Sequence, residues 1–240
     1  MSGDGGVWLV LPTYNEAANV EGIVRAALEA LPAQRRVLVV DDASPDGTGE
    51  IASRLAASEA DVEVLHRARK EGLGPAYVAG FERALAAGAG LVAQMDADFS
   101  HDPADLPRLL AATRDADLVL GSRYAGGGGV EDWGPLRRAV SLGGSAYARR
   151  ILGVGIRDLT GGFKVFRREV LEAIELETLG SLGYAFQVEA TYRALRRGFR
   201  AVEVPITFRD RRVGESKMSK RIVLEAAWRV PAMRFREGGR

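Results

Sequence analysis

From Val7 to Ser122, short apolar runs alternate with longer segments rich in Ala, Leu, Glu and Arg, and this rhythm limits what the chain can fold into. The runs are Val7–Leu11, Val37–Val40, Val62–Leu65, Leu91–Met95 and Leu118–Leu120. Between them lie Ala17–Leu31, Thr48–Ser58, Pro75–Ala87 and Pro103–Ala112. Continuous apolar runs of this length suit strands covered on both faces, and the intervening composition favours helix. Five strands joined by four helical crossovers predict an α/β domain: a mostly parallel, Rossmann-like sheet with helices on both faces.

After Ser122 the rhythm lapses into Gly-rich turns, two helix-like segments, a strand near Ala201–Phe208, a basic loop and a final helix-like stretch. The stretch Gly126–Gly129 reads as a mobile loop. With 240 residues, 47% of them hydrophobic, the chain suits one domain over 1–240, divided into a sheet half, 1–122, and a lid-like half, 123–240.

Bulk composition excludes several functions. The 33 basic and 32 acidic residues leave a net charge of +1, which makes no case for nucleic acid. The absence of cysteine removes disulfides, thiol nucleophiles and cysteine-based zinc sites, and is compatible with a reducing cytoplasm. The opening MSGDGGVWLVLP lacks a basic leader region. No apolar stretch approaches the roughly 18–20 residues of a membrane span. The expectation is a chain that does not cross the bilayer, although it can touch one.

Ligands of parallel α/β sheets bind beyond the carboxyl ends of the strands. There the sequence places Pro12-Thr13-Tyr14-Asn15-Glu16, Asp41-Asp42-Ala43-Ser44-Pro45-Asp46-Gly47-Thr48, Asp96-Ala97-Asp98-Phe99-Ser100-His101 and Gly121-Ser122-Arg123-Tyr124. Singly, each cluster has a structural explanation: Asn15 and Asp46 as helix caps, Asp42 as a turn residue, Pro103 as the first residue of a helix. Jointly they do not, because carboxylates converging on one edge repel each other unless a cation or a donor-rich ligand offsets them.

The sharpest local signal is Asp96-Ala97-Asp98, since two carboxylates at i and i+2 can hold a hard cation through oxygen, with Ser100 as a third oxygen. An EF-hand loop is excluded by His101 at the sixth position and Pro107 at the twelfth. His66 and His101 are too few for a histidine-rich metal site, and His101 reads as a loop-packing residue.

On a helix from Leu136 to Leu152, Arg137, Arg138, Ser141, Ser145, Ala148 and Arg149 share one arc opposite Leu136, Val140, Tyr147 and Ile151. That periodicity fits a two-faced helix and equally an ordinary surface helix. Between Arg209 and Arg221, six basic residues face two acidic ones. Beside Gly214 and ahead of the apolar-rich Ile222–Phe235, this run is compatible with phosphate binding and with contact at a membrane surface.

Six motifs carry a family resemblance: Pro12 to Glu16, VVDDASPDGT, MDADFSH, the GSRY around Arg123, TGGFKVF at Thr160–Phe166 and RRVGESKMS ending at Ser219. In that order and over almost the whole chain, they resemble the family-2 glycosyltransferases of the dolichol- or polyprenol-phosphate mannose synthase group. The resemblance implies a GT-A fold, with 1–122 the nucleotide-sugar half and 123–240 an acceptor half with interfacial helices. It implies that Pro12, Tyr14, Glu16, Asp41 and Asp42 hold the nucleoside, and that Asp96, Ala97, Asp98 and Ser100 form the donor and metal site for Mg²⁺ or Mn²⁺. Arg123, Arg137 and Ser141 correspond to acceptor-phosphate contacts, and Arg211 and Lys217 to basic residues closing over the pyrophosphate. The catalytic set implied is Asp98, Arg123, Arg211 and Lys217. Two departures stand out: Ser100 where some relatives have Gln, and Ala185 where some have Lys.

The activity implied is transfer of mannose from GDP-mannose to a polyprenyl monophosphate with inversion, by an enzyme peripheral on the cytoplasmic face of a membrane, with a membrane-protein partner compatible. The alternatives are a same-fold enzyme using UDP-glucose or another donor, and a non-catalytic nucleotide-sugar or membrane-surface module.

Overall fold

A computed structural model describes residues 5–179, 183–210 and 228–236, with Tyr184 by its backbone alone. The five expected strands are present as β1 (Val7–Thr13), β2 (Arg35–Asp41), β3 (Val62–His66), β4 (Leu91–Gln94) and β5 (Leu118–Ser122). The helices between them are α1 (Val20–Ala30), α2 (Thr48–Ser58), α3 (Leu73–Ala86) and α4 (Leu106–Ala112). Helix α1 starts later than its composition suggests. The backbone N–H groups of Glu16 and Ala17 are taken by the Thr48 hydroxyl and the Asp46 carboxylate, so the chain there is tied to the start of α2. A 3₁₀ turn, Pro103–Asp105, precedes α4, because Pro107 has no N–H to offer the Pro103 carbonyl and Leu106 donates to it instead.

The second half supplies β6 (Gly129–Val130), α5 (Pro135–Leu152), β7 (Lys164–Arg167), α6 (Arg168–Ala173), α7 (Tyr184–Arg196), β8 (Ala201–Pro205) and β9 (Thr207–Phe208). The main sheet has seven strands in the order β3-β2-β1-β4-β7-β5-β8. All its pairs are parallel except those of β7, which runs antiparallel between β4 and β5. The mostly parallel sheet is as expected, and the antiparallel β7 is an addition to the strands read from the sequence. The segment KVFR is four residues long and begins with a lysine, so neither length nor apolarity announces a central strand. The strand expected over Ala201–Phe208 is broken after Pro205, and β9 pairs with β6 in a small second sheet.

The mobile-loop reading of Gly126–Gly129 is likewise corrected in part: Gly129 belongs to β6, and a Cβ on Gly128 would lie 2.5 Å from the Ser122 carbonyl oxygen. Glycine is there because two stretches of backbone touch.

Alternation along β1 feeds a core on each side of the sheet. Trp8 and Val10 join Tyr77, Phe81, Phe166 and Phe186 on one side; Val7, Leu9 and Leu11 join Ile23, Val24, Leu106 and Val165 on the other. Each such fully buried side chain contributes roughly 1.5–3 kcal/mol, which fixes the strand edge that carries the polar loops.

Candidate active site

The strand order reverses between β1 and β4, so the loops after these strands open on the crevice where sheets of this type bind ligands. Three non-glycine residues with left-handed backbone lie on this edge: Asn15 (φ 57°), Ala43 (φ 58°) and Phe99 (φ 59°), following β1, β2 and β4. Such conformations cost on the order of 1–3 kcal/mol each and cluster where loops are shaped for a ligand.

On the β1–β2 side, Pro12 and Tyr14 are half-buried and the Tyr14 ring lies 3.5 Å beneath the Lys70 ammonium. Glu16 is buried and accepts from the Asn19 amide. Asp41 accepts from the Thr13 hydroxyl and the Ser44 N–H. The Asp42 carboxylate takes Arg67 at 2.5 Å and the N–H groups of Glu71 and Gly72 at 3.1 and 3.0 Å. Both aspartates thus brace the loops around the crevice, and Asp42 ties β2 to the start of α3. The helix-cap reading of Asp46 is corrected: the N-cap of α2 is Gly47, and Asp46, one residue before it, accepts from the N–H and hydroxyl of Thr48.

After β4, Asp96 is half-buried, and Ala97, Asp98 and Ser100 are buried. The Asp98 carboxylate accepts the Ser100 N–H at 3.1 Å, closing the turn on which Phe99 is strained. Tyr77 of α3, wholly buried, donates its hydroxyl to Asp96 Oδ1 at 3.3 Å. Burial, reinforced by the charges of Asp96 and Asp98, pushes the Tyr77 phenol well above its ordinary pKa. Gly162 closes the other flank, where a Cβ would come 3.3 Å from both Asp96 oxygens. The His101 ring packs against Phe163 and Phe208, and its Nδ1, 3.9 Å from Asp96 Oδ2, has no hydrogen-bond partner. Burial holds His101 below its ordinary pKa against the opposing charges of Asp96 and Asp98.

Among the described residues no three His, Asp or Glu side chains form a ready cation cage. The site nonetheless fits a hard divalent ion: two carboxylates share one turn, and the buried Ser100 hydroxyl beside them lacks a partner. An Mg²⁺-type ion bound by one or two carboxylates completes its shell with phosphate oxygens and water.

Beyond β5 the Arg123 guanidinium is fixed from two directions. Its Nε and NH2 donate to the two Asp158 oxygens at 2.7 and 2.6 Å, and NH2 also donates to the Thr160 hydroxyl. The rings of Tyr124, Trp133 and Phe208 lie 5.2–5.6 Å from its central carbon. Arg137 stacks on the same Trp133 ring at 4.3 Å and pairs with Asp210 at 2.7 Å. Ser141 accepts from the Tyr124 hydroxyl at 2.7 Å. The three residues singled out for the acceptor phosphate are therefore gathered around one aromatic cluster. Arg211 and Lys217 lie outside the described residues.

Several site residues carried no signal in the sequence reading: Tyr77, Trp133, Asp158, Thr160 and Lys164. Thr160 and Lys164 fall inside a quoted motif, but the motif gave them no role. Lys164 is wholly buried, donating to the Gln187 carbonyl at 2.7 Å and the Thr191 hydroxyl at 2.9 Å. Burial lowers its ammonium to about 7, with Asp158 opposing that shift and Arg123 adding to it.

Comparison with known proteins assigns this geometry to a family. Residues 8–175 match the model of Glycosyl transferase family 2. The chain belongs to glycosyltransferase family 2. Among the curated relatives of this family-2 glycosyltransferase is the undecaprenyl-phosphate mannosyltransferase of Micrococcus luteus, 49% identical over 93% of this chain and 92% of that one. Another is the polyprenol monophosphomannose synthase of Mycolicibacterium smegmatis, 49% identical over 92% of this chain and 84% of that one. The resemblance read from the six motifs is borne out.

Among solved structures, glucosyl-3-phosphoglycerate synthase from Mycobacterium tuberculosis, in complex with Mn²⁺, UDP and glucosyl-3-phosphoglycerate, superposes with a TM-score of 0.70. Identity is 20%, and the match covers 98% of this chain and 81% of that one. A second structure of that synthase, with Mg²⁺ and UDP, gives 0.69. The fold of this family-2 enzyme is accordingly GT-A-like.

Proposed function

We propose that the enzyme transfers mannose from GDP-mannose to a polyprenyl monophosphate with inversion, giving polyprenyl-phosphomannose and GDP. The relatives' names support the sugar and the lipid phosphate. The observation that carries the reading is the juxtaposition of the Asp96–Asp98 turn with two arginines on one indole: His101 lies 3.9 Å from Asp96 and meets Phe208 edge to face, and the Phe208 ring also meets Arg123.

Asp96 and Asp98, with Ser100 beside them, would hold Mg²⁺ or Mn²⁺. Such an ion, when bound, stabilises charge on a leaving diphosphate. Pro12, Tyr14, Glu16, Asp41, Asp42 and Ala97 would shape the nucleoside and donor crevice. Arg123, Arg137 and Ser141 would orient the acceptor phosphate for in-line attack, and Arg211 and Lys217 would add positive charge at the pyrophosphate. A phosphate monoester with a second pKa near roughly 6 is already largely dianionic at neutral pH, so no general base is required. A single displacement inverts the anomeric centre.

Membrane-surface association is part of the proposal. On α5 the polar arc turns inward, with Arg137 and Ser141 half-buried and Ser145 and Ala148 buried, while Arg138 and Arg149 are exposed. Leu136 (77% exposed), Val140, Leu142 and Tyr147 face outward, together with Trp228 and Phe235 (82%) from helical residues 228–236. Among the described residues, no helix is long and apolar enough to cross a membrane.

The deciding experiment incubates pure protein with GDP-mannose, Mg²⁺ or Mn²⁺ and a short polyprenyl phosphate, with UDP-glucose in a parallel arm. Metal-dependent formation of the β-linked lipid phosphomannose is expected. Transfer from UDP-glucose alone would move the enzyme to another donor, and donor binding without turnover in any arm would make it a binding module.

A further inference from the structure

Helix α3 meets the crevice twice. At its start, the N–H groups of Glu71 and Gly72 hold the Asp42 carboxylate at 3.1 and 3.0 Å. A turn and a half further on, the Tyr77 hydroxyl reaches Asp96 Oδ1 at 3.3 Å. The phenol has no freedom to turn elsewhere: its ring is wholly buried, stacked on Phe186 at 5.8 Å with 4° between planes and on Phe81 at 5.7 Å. The opposite flank of Asp96 is closed by Gly162, where even a methyl group would sit 3.3 Å from both oxygens. The Asp96 carboxylate is therefore clasped between a hydrogen-bond donor and a wall of backbone.

We propose that Tyr77 is a positioning residue for the cation site, and that through it α3 holds the nucleoside-side carboxylate Asp42 and the cation-side carboxylate Asp96 at a fixed separation. A hydrogen bond to one oxygen of a ligating carboxylate orients its other lone pairs towards the ion and lowers the entropy lost on binding. The inference rests on the reading of Asp96 as a metal ligand.

Tyr77→Phe removes one buried oxygen and keeps the stacked ring. The test is Mn²⁺ titration, followed by the paramagnetic resonance of free Mn²⁺ in the presence of GDP, alongside thermal unfolding without metal. Tyr77→Phe weakens Mn²⁺ binding on the order of tenfold, while the unfolding temperature falls by no more than about 4 °C. Phe81→Leu, which loosens the same stack without touching Asp96, lowers the unfolding temperature but leaves Mn²⁺ affinity at the wild-type value. Unchanged affinity in Tyr77→Phe, or an equal loss in Phe81→Leu, overturns the proposal. Asp96→Asn separates the two layers: if it binds Mn²⁺ as the wild type does, the metal reading itself falls and the inference falls with it. If Asp96→Asn loses binding and Tyr77→Phe does not, only the role given to Tyr77 is wrong.

Discussion

The Arg123 guanidinium is clasped by the Asp158 carboxylate through two parallel hydrogen bonds of 2.7 and 2.6 Å, and Asp158 also accepts the Arg123 backbone N–H at 3.0 Å. Burial pushes the Asp158 carboxyl up, but the bonds and charge of Arg123 outweigh it and its pKa lies below the usual value. Its contribution to stability is therefore present above the unfolded pKa of 3.8 and is lost as pH falls below it.

Removing that charge should break a buried ion pair. Asp158→Asn is expected to cost about 3 kcal/mol of folding stability, because breaking a buried pair from one side costs more than the pair is worth. Replacing both residues with Arg123→Met and Asp158→Leu should recover much of that stability and none of the turnover. Urea unfolding and acceptor-dependent kinetics on the two proteins check this. Recovered turnover in the double variant would remove Arg123 from the acceptor site.

The sequence exposes the parts of this site that sit at strand ends, because apolar runs end visibly and polar residues follow them. Asp96, Asp98 and Arg123 were found that way. Tyr77 was not, since an aromatic residue in an Ala-rich helix reads as core, and it is core apart from its hydroxyl. Asp158 lies in the loop that leads into β7, so its pairing with Arg123 depends on β7 inserting between β4 and β5, while Trp133 meets Arg123, Arg137 and Phe208, which are distant from one another in sequence. That insertion was itself hidden by Lys164, a charged residue whose burial depends on acceptors supplied by α7.

The Asp96–Asp98 turn yields a graded prediction. Asp98→Ala should lower metal-dependent turnover by about 10²-fold or more while leaving the fold intact. Gly162→Ala should act more mildly, because a new methyl group 3.3 Å from the Asp96 oxygens shifts that carboxylate by only tenths of an ångström. Turnover measured across a Mn²⁺ series should show a raised metal requirement in Gly162→Ala and a near-absent response in Asp98→Ala. Wild-type turnover and metal dependence in Asp98→Ala would displace the cation site.

The buried Lys164 gives stability a pH dependence of definite sign. Its ammonium is brought from 10.5 to about 7 in the fold, so between those values the unfolded chain binds more protons than the folded one. Stability should therefore rise with pH across that window, by up to about 1.4 kcal/mol per unit, with the penalty fully present below it. Lys164→Met removes the titrating group and should flatten this rise. Urea unfolding at intervals from pH 6 to pH 10 compares the two slopes, and equal slopes would show that Lys164 does not titrate in the window.

If the enzyme binds a membrane surface as proposed, the outward face of α5 should make two separable contributions to vesicle binding. Leu136, Val140, Leu142 and Tyr147 are exposed large hydrophobic residues on a helix that has four arginines and no acidic residue. The segment 228–236, carrying Trp228 and Phe235, is joined to it by a hydrogen bond from Arg234 to the Ile151 carbonyl. Apolar insertion gains about 0.8 kcal/mol per buried methylene and is not screened by salt. Attraction of arginine to an anionic surface is worth about 1 kcal/mol each and is screened within roughly 10 Å at 0.1 M salt. Leu136→Ser with Tyr147→Ser should therefore reduce flotation with anionic vesicles at both low and high ionic strength. Arg138→Glu with Arg149→Glu should reduce it at low ionic strength only. Neither pair touches the inward residues Arg137 and Ser141, so turnover on a short, water-soluble polyprenyl phosphate should stay near the wild-type rate. If the wild-type protein fails to float with anionic vesicles even at low salt, the outward face of α5 does not bind a membrane surface.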